Sequence, residues 1–163
     1  MNRWALNTKH IETLAVNSFI PKTGRNDGWI LSLEKHLLVK HFKFVDVKII
    51  NNKLKCTGVC RPSSHSISYT YQIQFTPKQS PNVFVINPVI KYHKDIHMYP
   101  KDNSLCLYYP RDYSWTRKSH LYDTIVPWTH EWFVFYELYQ IYGKWFHPSV
   151  DHGENLKLKD YGL

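Results

Sequence analysis

The most constraining feature of the sequence is the stretch over residues 66–75, where polar and apolar side chains alternate without interruption. A period of two predicts a β-strand with one face in a core and the other in water. Three further runs of strand-forming residues precede and follow it, at 44–50, 54–59 and 83–86. Asn51 and Asn52 predict a turn between the first two runs, and proline residues bound the last one. We therefore predict a four-stranded antiparallel meander.

Helical spacing begins before the meander. Asp27 is a residue type that caps helices, and an apolar stripe with basic side chains off it follows. The stripe consists of Trp29, Ile30, Leu33, Leu37 and Leu38. Together these residues predict a helix of about three turns over 28–40, with Asp27 as its N-cap.

Helical spacing returns after an irregular segment at 91–116, and such segments inside compact domains commonly carry function. Residues 121–126 predict a short helix stopped by Pro127. Residues 131–142 predict a longer helix, capped by Thr129 and closed by Gly143. The whole pattern predicts an α+β fold with an N-terminal helix, the meander, an irregular segment and C-terminal helices.

A single domain is large enough to hold all of these elements. Of the 163 residues, 43% are hydrophobic and 16% aromatic, a composition that excludes a disordered chain. We assign 1–26 to an N-terminal extension, 27–148 to the domain and 149–163 to a tail. No run approaches the roughly 20 apolar residues of a membrane span, and no signal peptide is recognisable, so we expect a cytoplasmic protein. Three cysteines, an odd number, suit a reducing compartment.

The charge of the chain invites a nucleic-acid interpretation that its distribution does not favour. The chain has 21 Lys and Arg against 13 Asp and Glu, a formal net charge of +8. The basic residues are dispersed, with no run of five and no nucleic-acid motif. Dispersed charge is typical of a solvated surface, so nucleic acid is not the expected partner. The net positive charge leaves an acidic macromolecule as an alternative partner.

Histidine spacing gives a weak signal for a metal site. His93 and His97 are four residues apart with Cys106 nearby, but the segment is not predicted to be helical and no CxxC or HExxH motif is present. Cys56 and Cys60 share one face of a predicted strand at a separation of about 13 Å, too far for a disulfide or a shared zinc ion. We expect no metal, and we expect both cysteines to be small core residues.

Cys106 is the remaining candidate for chemistry. A cysteine between two leucines is, on general burial preferences, more often a buried filler than a nucleophile. Its surroundings change that balance, because turn-forming residues at 100–104 precede it and a rigid Tyr-Pro pair follows it. Such a segment can hold a thiol on a surface shelf.

The order of these features resembles the ubiquitin-conjugating-enzyme fold. It is most similar to the bacterial members from antiphage cyclic-oligonucleotide signalling (CBASS) operons. The shared features are the first helix, the meander, an irregular segment with His97, the Leu-Cys-Leu around Cys106 and the C-terminal helices. Stretches expected in that subgroup are 104–110, 123–128, Glu131-Trp132, Tyr136-Glu137 and 143–145. The resemblance covers roughly residues 27–148.

The resemblance implies that Cys106 accepts the C-terminal acyl group of a partner protein as a thioester. His97, nine residues earlier, matches the His of the family's His-Pro-Asn motif, and a packing role is expected for it ahead of a general-base role. Met98 and Tyr99 stand where Pro and Asn would be, so the amide that supports the oxyanion is missing. Backbone N–H groups of residues 103–106 or the Asn103 side chain are substitutes that the chemistry permits.

A carboxylate near Cys106 would help transfer of the acyl group to an amine. Asp102 and Asp112 are the nearest in sequence, although loop carboxylates often only cap turns. Trp115, nine residues after Cys106, completes the segment that matches the family.

The leading hypothesis is an acyl-carrying transferase that joins the C-terminus of a cGAS-like nucleotidyltransferase to an amine and so primes antiphage signalling. Thioester chemistry requires no metal or organic cofactor. No Gly-rich nucleotide loop is present, so either a separate activating enzyme supplies the acyl group or the partner arrives already activated. The alternative, which the missing Pro and Asn favour, is a non-catalytic protein-interaction module with the same fold.

The C-terminal region is dense in aromatic residues. Trp128, Trp132, Tyr136 and Trp145 fall within eighteen residues, and core packing explains most of this stripe. The surplus predicts a surface for a partner or for a second copy of the chain.

Overall fold

The computed structural model describes residues 26–108 and 118–147. Its elements, in chain order, are α1 (Asp27–His41), β1 (Val45–Ile50), β2 (Lys53–Cys60), β3 (Tyr69–Phe75), β4 (Asn82–Asn87) and α2 (Ile125–Tyr142). The strands form one antiparallel sheet in the order β1-β2-β3-β4. The predicted α+β fold with its meander is confirmed. No helix in the described ranges is long and apolar enough to cross a membrane.

The turn between β1 and β2 forms at the predicted asparagines. Asn51 and Asn52 have φ angles of 50° and 56°. Ile50 pairs directly with Lys53, so the two asparagines are the whole loop. A two-residue hairpin loop with both φ angles positive matches the right-handed twist of the strands, and asparagine adopts this conformation at low cost.

The strand alternation is real, but β3 begins three residues later than predicted. Every second side chain of β3 is buried, from Tyr69 to Phe75. Ser66 lies before the strand and is also buried, because its hydroxyl donates to Glu137 of α2 over 2.6 Å. The alternation therefore extends past the strand into a loop that is tied to the helix.

Helix α1 begins with a different cap and buries a different face from those predicted. Asn26 is the N-cap, since its side-chain oxygen accepts the N–H of Trp29 over 3.0 Å, and Asp27 is the first helical residue. The buried side chains are Leu31, Glu34 and Leu38, whereas Trp29 is 38% exposed. The prediction from apolar spacing placed the buried face of α1 wrongly, because that face includes the carboxylate of Glu34.

The buried carboxylate of Glu34 anchors the segment that leads into α2. Glu34 is 3% exposed, and its two oxygens lie 2.7 Å from Nδ1 of His120 and 2.9 Å from the N–H of Leu121. Tyr122 stacks on His41 at the end of α1, with ring centroids 4.2 Å apart. A carboxyl group is stable at this depth because both of its oxygens have hydrogen-bond partners.

The predicted pair of C-terminal helices is wrong, because α2 is one helix and residues 121–124 form a turn. Pro127 is the third residue of α2, where the backbone N–H has no partner within the helix, so a proline costs no hydrogen bond there. Thr129 does not cap; its buried hydroxyl donates to the carbonyl of Ile125 over 2.7 Å. Gly143 closes the helix with φ 65°, as predicted.

Helix α2 packs on the buried face of the sheet through aromatic rings. Phe133 stacks on Tyr69 with centroids 4.6 Å apart and also contacts Tyr71. Tyr71 crosses its neighbour Gly58, and its hydroxyl lies 3.0 Å from Nε2 of His130. A Cβ at position 58 would lie only 2.5 Å from the Tyr71 ring, so glycine is required for this close approach.

Replacing Glu34 with Ala should lower the free energy of unfolding by about 2–4 kcal/mol, because a nearly buried carboxylate loses two partners and leaves the Leu121 N–H unpaired. Urea unfolding measures the change. The control is Asp46→Ala, which breaks an ion pair with Lys48 whose side chains are 64% and 65% exposed, and it should cost less than about 1 kcal/mol. Equal losses in the two variants would contradict the anchoring role of Glu34.

Stability should fall as the pH drops below about 6.5, because burial lowers the pKa of His130. Below about pH 6.5, His130 is protonated in the unfolded chain but stays neutral in the folded chain, so protonation favours unfolding. Above that pH, His130 is neutral in both states. His130→Gln keeps a polar partner for Tyr71 without the titration, so its melting temperature should fall less between pH 7.5 and pH 5. The exposed His65→Gln is the control and should retain the wild-type slope. Parallel curves for wild type and His130→Gln would refute this assignment.

Candidate active site around Cys106

Cys106 lies on a short antiparallel ribbon attached to the sheet. Met98 and Leu105 form a β-bridge, and both side chains are buried in the core. The N–H of Leu105 donates to the carbonyl of Val83 in β4 over 2.8 Å, which fixes the ribbon to the sheet. The ribbon continues on both sides of the bridge, with Cys106 opposite His97 and Tyr99 opposite Ser104, over N–H to carbonyl distances of 3.0 and 2.8 Å.

This register decides which side chains share a face with the thiol. Side chains alternate along each strand, so His97 lies directly across from Cys106 and Tyr99 lies on the diagonal. Met98 and Leu105 point to the opposite face, into the core. Cys106 is itself buried, at 7% exposed, so the prediction of a thiol on a surface shelf is wrong. The core therefore holds one face of the ribbon and leaves the sulfur, the imidazole and the phenol together on the other.

The carbonyl of His97 ties the ribbon to α2. It accepts the N–H of Cys106 over 3.0 Å and the indole N–H of Trp132 over 2.8 Å. Trp132 is only 4% exposed. The backbone beside the thiol is thereby held by a buried side chain from the helix.

The imidazole of His97 packs against Trp145, with ring centroids 5.4 Å apart and an angle of 18° between the planes. The indole N–H of Trp145 is buried and has no hydrogen-bond partner in the described part of the chain, so stacking holds this ring. The His97 ring therefore packs against Trp145, and its predicted packing role ahead of a general-base role stays a prediction.

Tyr99 supplies a hydroxyl to the sulfur. Burial raises the pKa of the Cys106 thiol, while a hydrogen bond from the Tyr99 hydroxyl opposes that shift. The carbonyl oxygen of Tyr108 is 3.8 Å from Sγ. Burial also raises the pKa of Tyr99 itself, which keeps its proton available for donation. Tyr99, which stands where the family motif has Asn, is thus a hydrogen-bond donor to the Cys106 sulfur.

An open pocket lies beside the thiol. Its walls come from the ribbon, from α2 and from the residues just after α2, and they include His97, Cys106, Trp128, Glu131, Trp145 and His147. Glu131 and His147 form a pair, with Nε2 4.0 Å from Oε1. Trp128 also contacts Tyr108, with ring centroids 5.5 Å apart. A thiol, a carboxylate and an imidazole therefore border one cavity.

The family model described as "Type II CBASS E2 protein" matches residues 34–153. The chain belongs to the type II CBASS E2 family. The resemblance seen in the sequence is confirmed, and with it an E2-like role in bacterial antiphage defence, a transferase in general terms, with a partner within the CBASS system. Comparison with curated proteins finds no significant match.

The turn before Cys106 in this CBASS E2 protein is built by the two residues that the sequence offered as supports. Asp102 accepts the N–H and the hydroxyl of Ser104 over 3.0 and 2.7 Å, which is a turn-capping role. Asn103 has φ 59°, and its amide oxygen accepts the N–H of Tyr92 over 3.3 Å. The predicted supporting residues Asp112 and Trp115 lie outside the described residues.

The predicted aromatic partner surface needs one correction. Trp132 is buried in the core and bonded to His97, so it offers no surface. Trp128, Tyr136 and Trp145 are half-buried, and for them a partner surface stays a prediction. The large apolar side chains that are exposed at the end of α2 and just beyond are Ile141, Tyr142 and Phe146.

The other two cysteines of this CBASS E2 chain are core residues, as predicted. Cys56 is 0% and Cys60 is 5% exposed. Burial raises the pKa of Cys56 to about 12 and that of Cys60 to about 11. In the described ranges, no three His, Cys, Asp or Glu side chains form a cluster that could hold a metal ion.

Tyr99→Phe should slow alkylation of Cys106 by about threefold to tenfold at pH 8, because loss of the phenol hydrogen bond raises the pKa of the thiol. Iodoacetamide with peptide mass mapping gives the rate at each cysteine, and the pH–rate midpoint of Cys106 should rise. Tyr92→Phe, at an exposed tyrosine, is the control and should leave the midpoint in place. An unchanged midpoint in Tyr99→Phe would show that its hydroxyl does not act on the sulfur.

Proposed function

We propose that this CBASS E2 protein carries an acyl group as a thioester on Cys106 and passes it to an amine. The observation that carries the proposal is the position of the thiol, which borders an open pocket with a hydroxyl donor beside it. The two other thiols lie in the core with strongly raised pKa values and no opposing hydrogen bond. A thioester retains enough free energy for transfer to a lysine amine.

The first step joins the Cys106 sulfur to an activated C-terminal carbonyl carbon. The carbon–sulfur bond forms, the bond to the activating group breaks, and the thiol proton leaves with that group. Tyr99 donates to the sulfur and lies on the same face of the ribbon, so its hydroxyl can stabilise the thiolate and then the oxyanion of the tetrahedral intermediate. In this proposal the Tyr99 hydroxyl supports the oxyanion in place of the Asn amide of the family motif.

The proposed donor of the acyl group is a cGAS-like nucleotidyltransferase from the same CBASS system, joined through its C-terminus. Family membership implies a CBASS partner, and the nucleotidyltransferase is the specific form of that partner that we propose. Activation comes either from a separate activating enzyme or from a reactive linkage that the partner already carries. We place the reaction in the cytoplasm.

A second candidate function is a non-catalytic interaction module of the same fold. The observation in its favour is that Cys106 is only 7% exposed and that burial raises its pKa. Such a thiol would resist alkylation until the protein unfolds. The two functions are separated by the urea concentration at which Cys106 is alkylated. Alkylation at urea concentrations well below those that unfold the protein would favour the acyl carrier over the interaction module.

Wild-type protein recovered from its native cells should carry a protein adduct that thiols cleave, and Cys106→Ala should carry none. Cys106→Ser should trap an ester that hydroxylamine cleaves and mild thiol does not. The control is Cys60→Ala, which removes a core thiol and should retain the adduct. Intact mass and non-reducing gels give the readout and the mass of the donor.

Persistence of the adduct in Cys106→Ala would overturn the proposal. Absence of any adduct, together with slow alkylation of native Cys106, would favour the interaction module.

A further inference from the structure

Strand β1 forms one edge of the sheet. The sheet has the order β1-β2-β3-β4, and its other edge, at β4, accepts a hydrogen bond from Leu105 of the ribbon. In the part of the chain that the structure describes, no strand or bridge pairs with the outer side of β1. An uncovered edge presents unpaired N–H and C=O groups, which makes it a template for a further strand.

We propose that this edge pairs with β1 of a second copy of the chain, antiparallel and centred on Val47, so that the two sheets join into one. In this register Asp46 of each copy lies directly opposite Lys48 of the other. This charge complementarity is the argument for a second copy as the occupant of the edge. The proposal goes beyond the acyl-carrier function and does not depend on it, because no residue of β1 lines the pocket of Cys106.

The turn between β1 and β2 determines which backbone groups of β1 face outward. Ile50 and Lys53 close a two-residue loop, and a pair in that position is a hydrogen-bonded one. Hydrogen-bonded and non-hydrogen-bonded pairs alternate along an antiparallel ladder, so Val45, Val47 and Ile49 direct their N–H and C=O groups away from β2. Pairing centred on Val47 joins these same three residues across the two copies, and each joined pair exchanges two hydrogen bonds.

The side chains of β1 fit the same register. Asp46 and Lys48 lie on the outer face of the sheet with their side chains 64% and 65% exposed, so a second copy can reach both. They form an ion pair of 2.9 Å with each other, but Lys48 also lies opposite Lys55 of β2, a like-charge pair that is unfavourable. Asp46 of the second copy would place a further carboxylate on the open side of Lys48. On the core face, the exposed Ile49 would be covered by Val45 of the second copy.

The charges of β1 disfavour the neighbouring registers. Centring the pair on Asp46 places two carboxylates directly opposite each other, and centring it on Lys48 does the same with two ammonium groups. A shift by one residue joins the core face of one sheet to the outer face of the other. A lysine on an edge strand ordinarily prevents pairing, because it meets only its own kind or an apolar residue. Asp46, two residues before Lys48, removes that obstacle in one register only.

The oligomeric state of the full-length protein tests the proposal. Sedimentation from about 1 μM to 1 mM covers the dissociation constants expected for a small interface, and wild type should form a dimer in that range. Asp46→Lys and Lys48→Asp should each weaken the dimer by about tenfold or more, because each places like charges opposite each other. The control is Lys78→Asp, which breaks an exposed ion pair with Asp27 outside β1 and should dimerise like wild type.

A one-to-one mixture of the two variants gives the sharpest result. The Asp46→Lys chain has lysine at both positions 46 and 48, and the Lys48→Asp chain has aspartate at both. Each chain meets like charges in a dimer with itself, whereas in a mixed dimer every lysine lies opposite an aspartate. The mixture should therefore recover the dimer that each variant alone has lost. Mixing does not repair a chain that fails to fold, so this recovery distinguishes loss of pairing from damage to the strand.

Wild-type protein that stays monomeric up to about 1 mM would overturn the proposal and leave the edge of β1 to a strand from a different protein. Dimers that persist unchanged in both Asp46→Lys and Lys48→Asp would also overturn it, because the interface would then lie elsewhere on the molecule. A mixture of the two variants that stays monomeric would refute the register centred on Val47. None of these results bears on the acyl-carrier function, which the adducts of Cys106 test separately.

Discussion

The carbonyl oxygen of His97 holds the candidate site together. It accepts one hydrogen bond from the backbone of Cys106 and a second from the indole of Trp132, so one atom joins the ribbon to α2. The first bond sets the register that puts Tyr99 beside the thiol. The second brings Trp128 and Glu131 of α2 to the same place. The sheet holds the ribbon at Leu105, whose N–H donates to the carbonyl of Val83, and the two hydrogen bonds to the His97 carbonyl tie the same ribbon to α2.

The sequence predicted the fold wherever a single period governs burial. The strands of the meander and the Asn51-Asn52 turn follow from local spacing and backbone preference. Two of the errors, the buried face of α1 and the early start predicted for β3, fall where a polar group is buried by a distant partner. Glu34 is buried because His120 and Leu121 pair with it, and Ser66 because Glu137 does. Such pairings span tens of residues and leave no periodic signal.

The candidate site was predictable to a smaller extent than the fold. The motif around Cys106 identified the thiol and His97, since both lie in one continuous segment with a recognisable order. The positions of Tyr99 and Glu131 relative to the sulfur depend on ribbon register and on helix docking, respectively. A Tyr in place of Asn gave one local hint that a different donor was present. Nothing local indicated that a residue 25 positions after Cys106 borders the same pocket.

The close approach of Tyr71 to Gly58 has an evolutionary consequence. The Tyr71 ring occupies the space that a side chain at position 58 would need, and its hydroxyl reaches His130 only by crossing there. A residue larger than glycine at position 58 therefore fits only after Tyr71 has been replaced by a smaller residue. We therefore expect positions 58, 71 and 130 to change together. The order of the substitutions is constrained as well as the residue types.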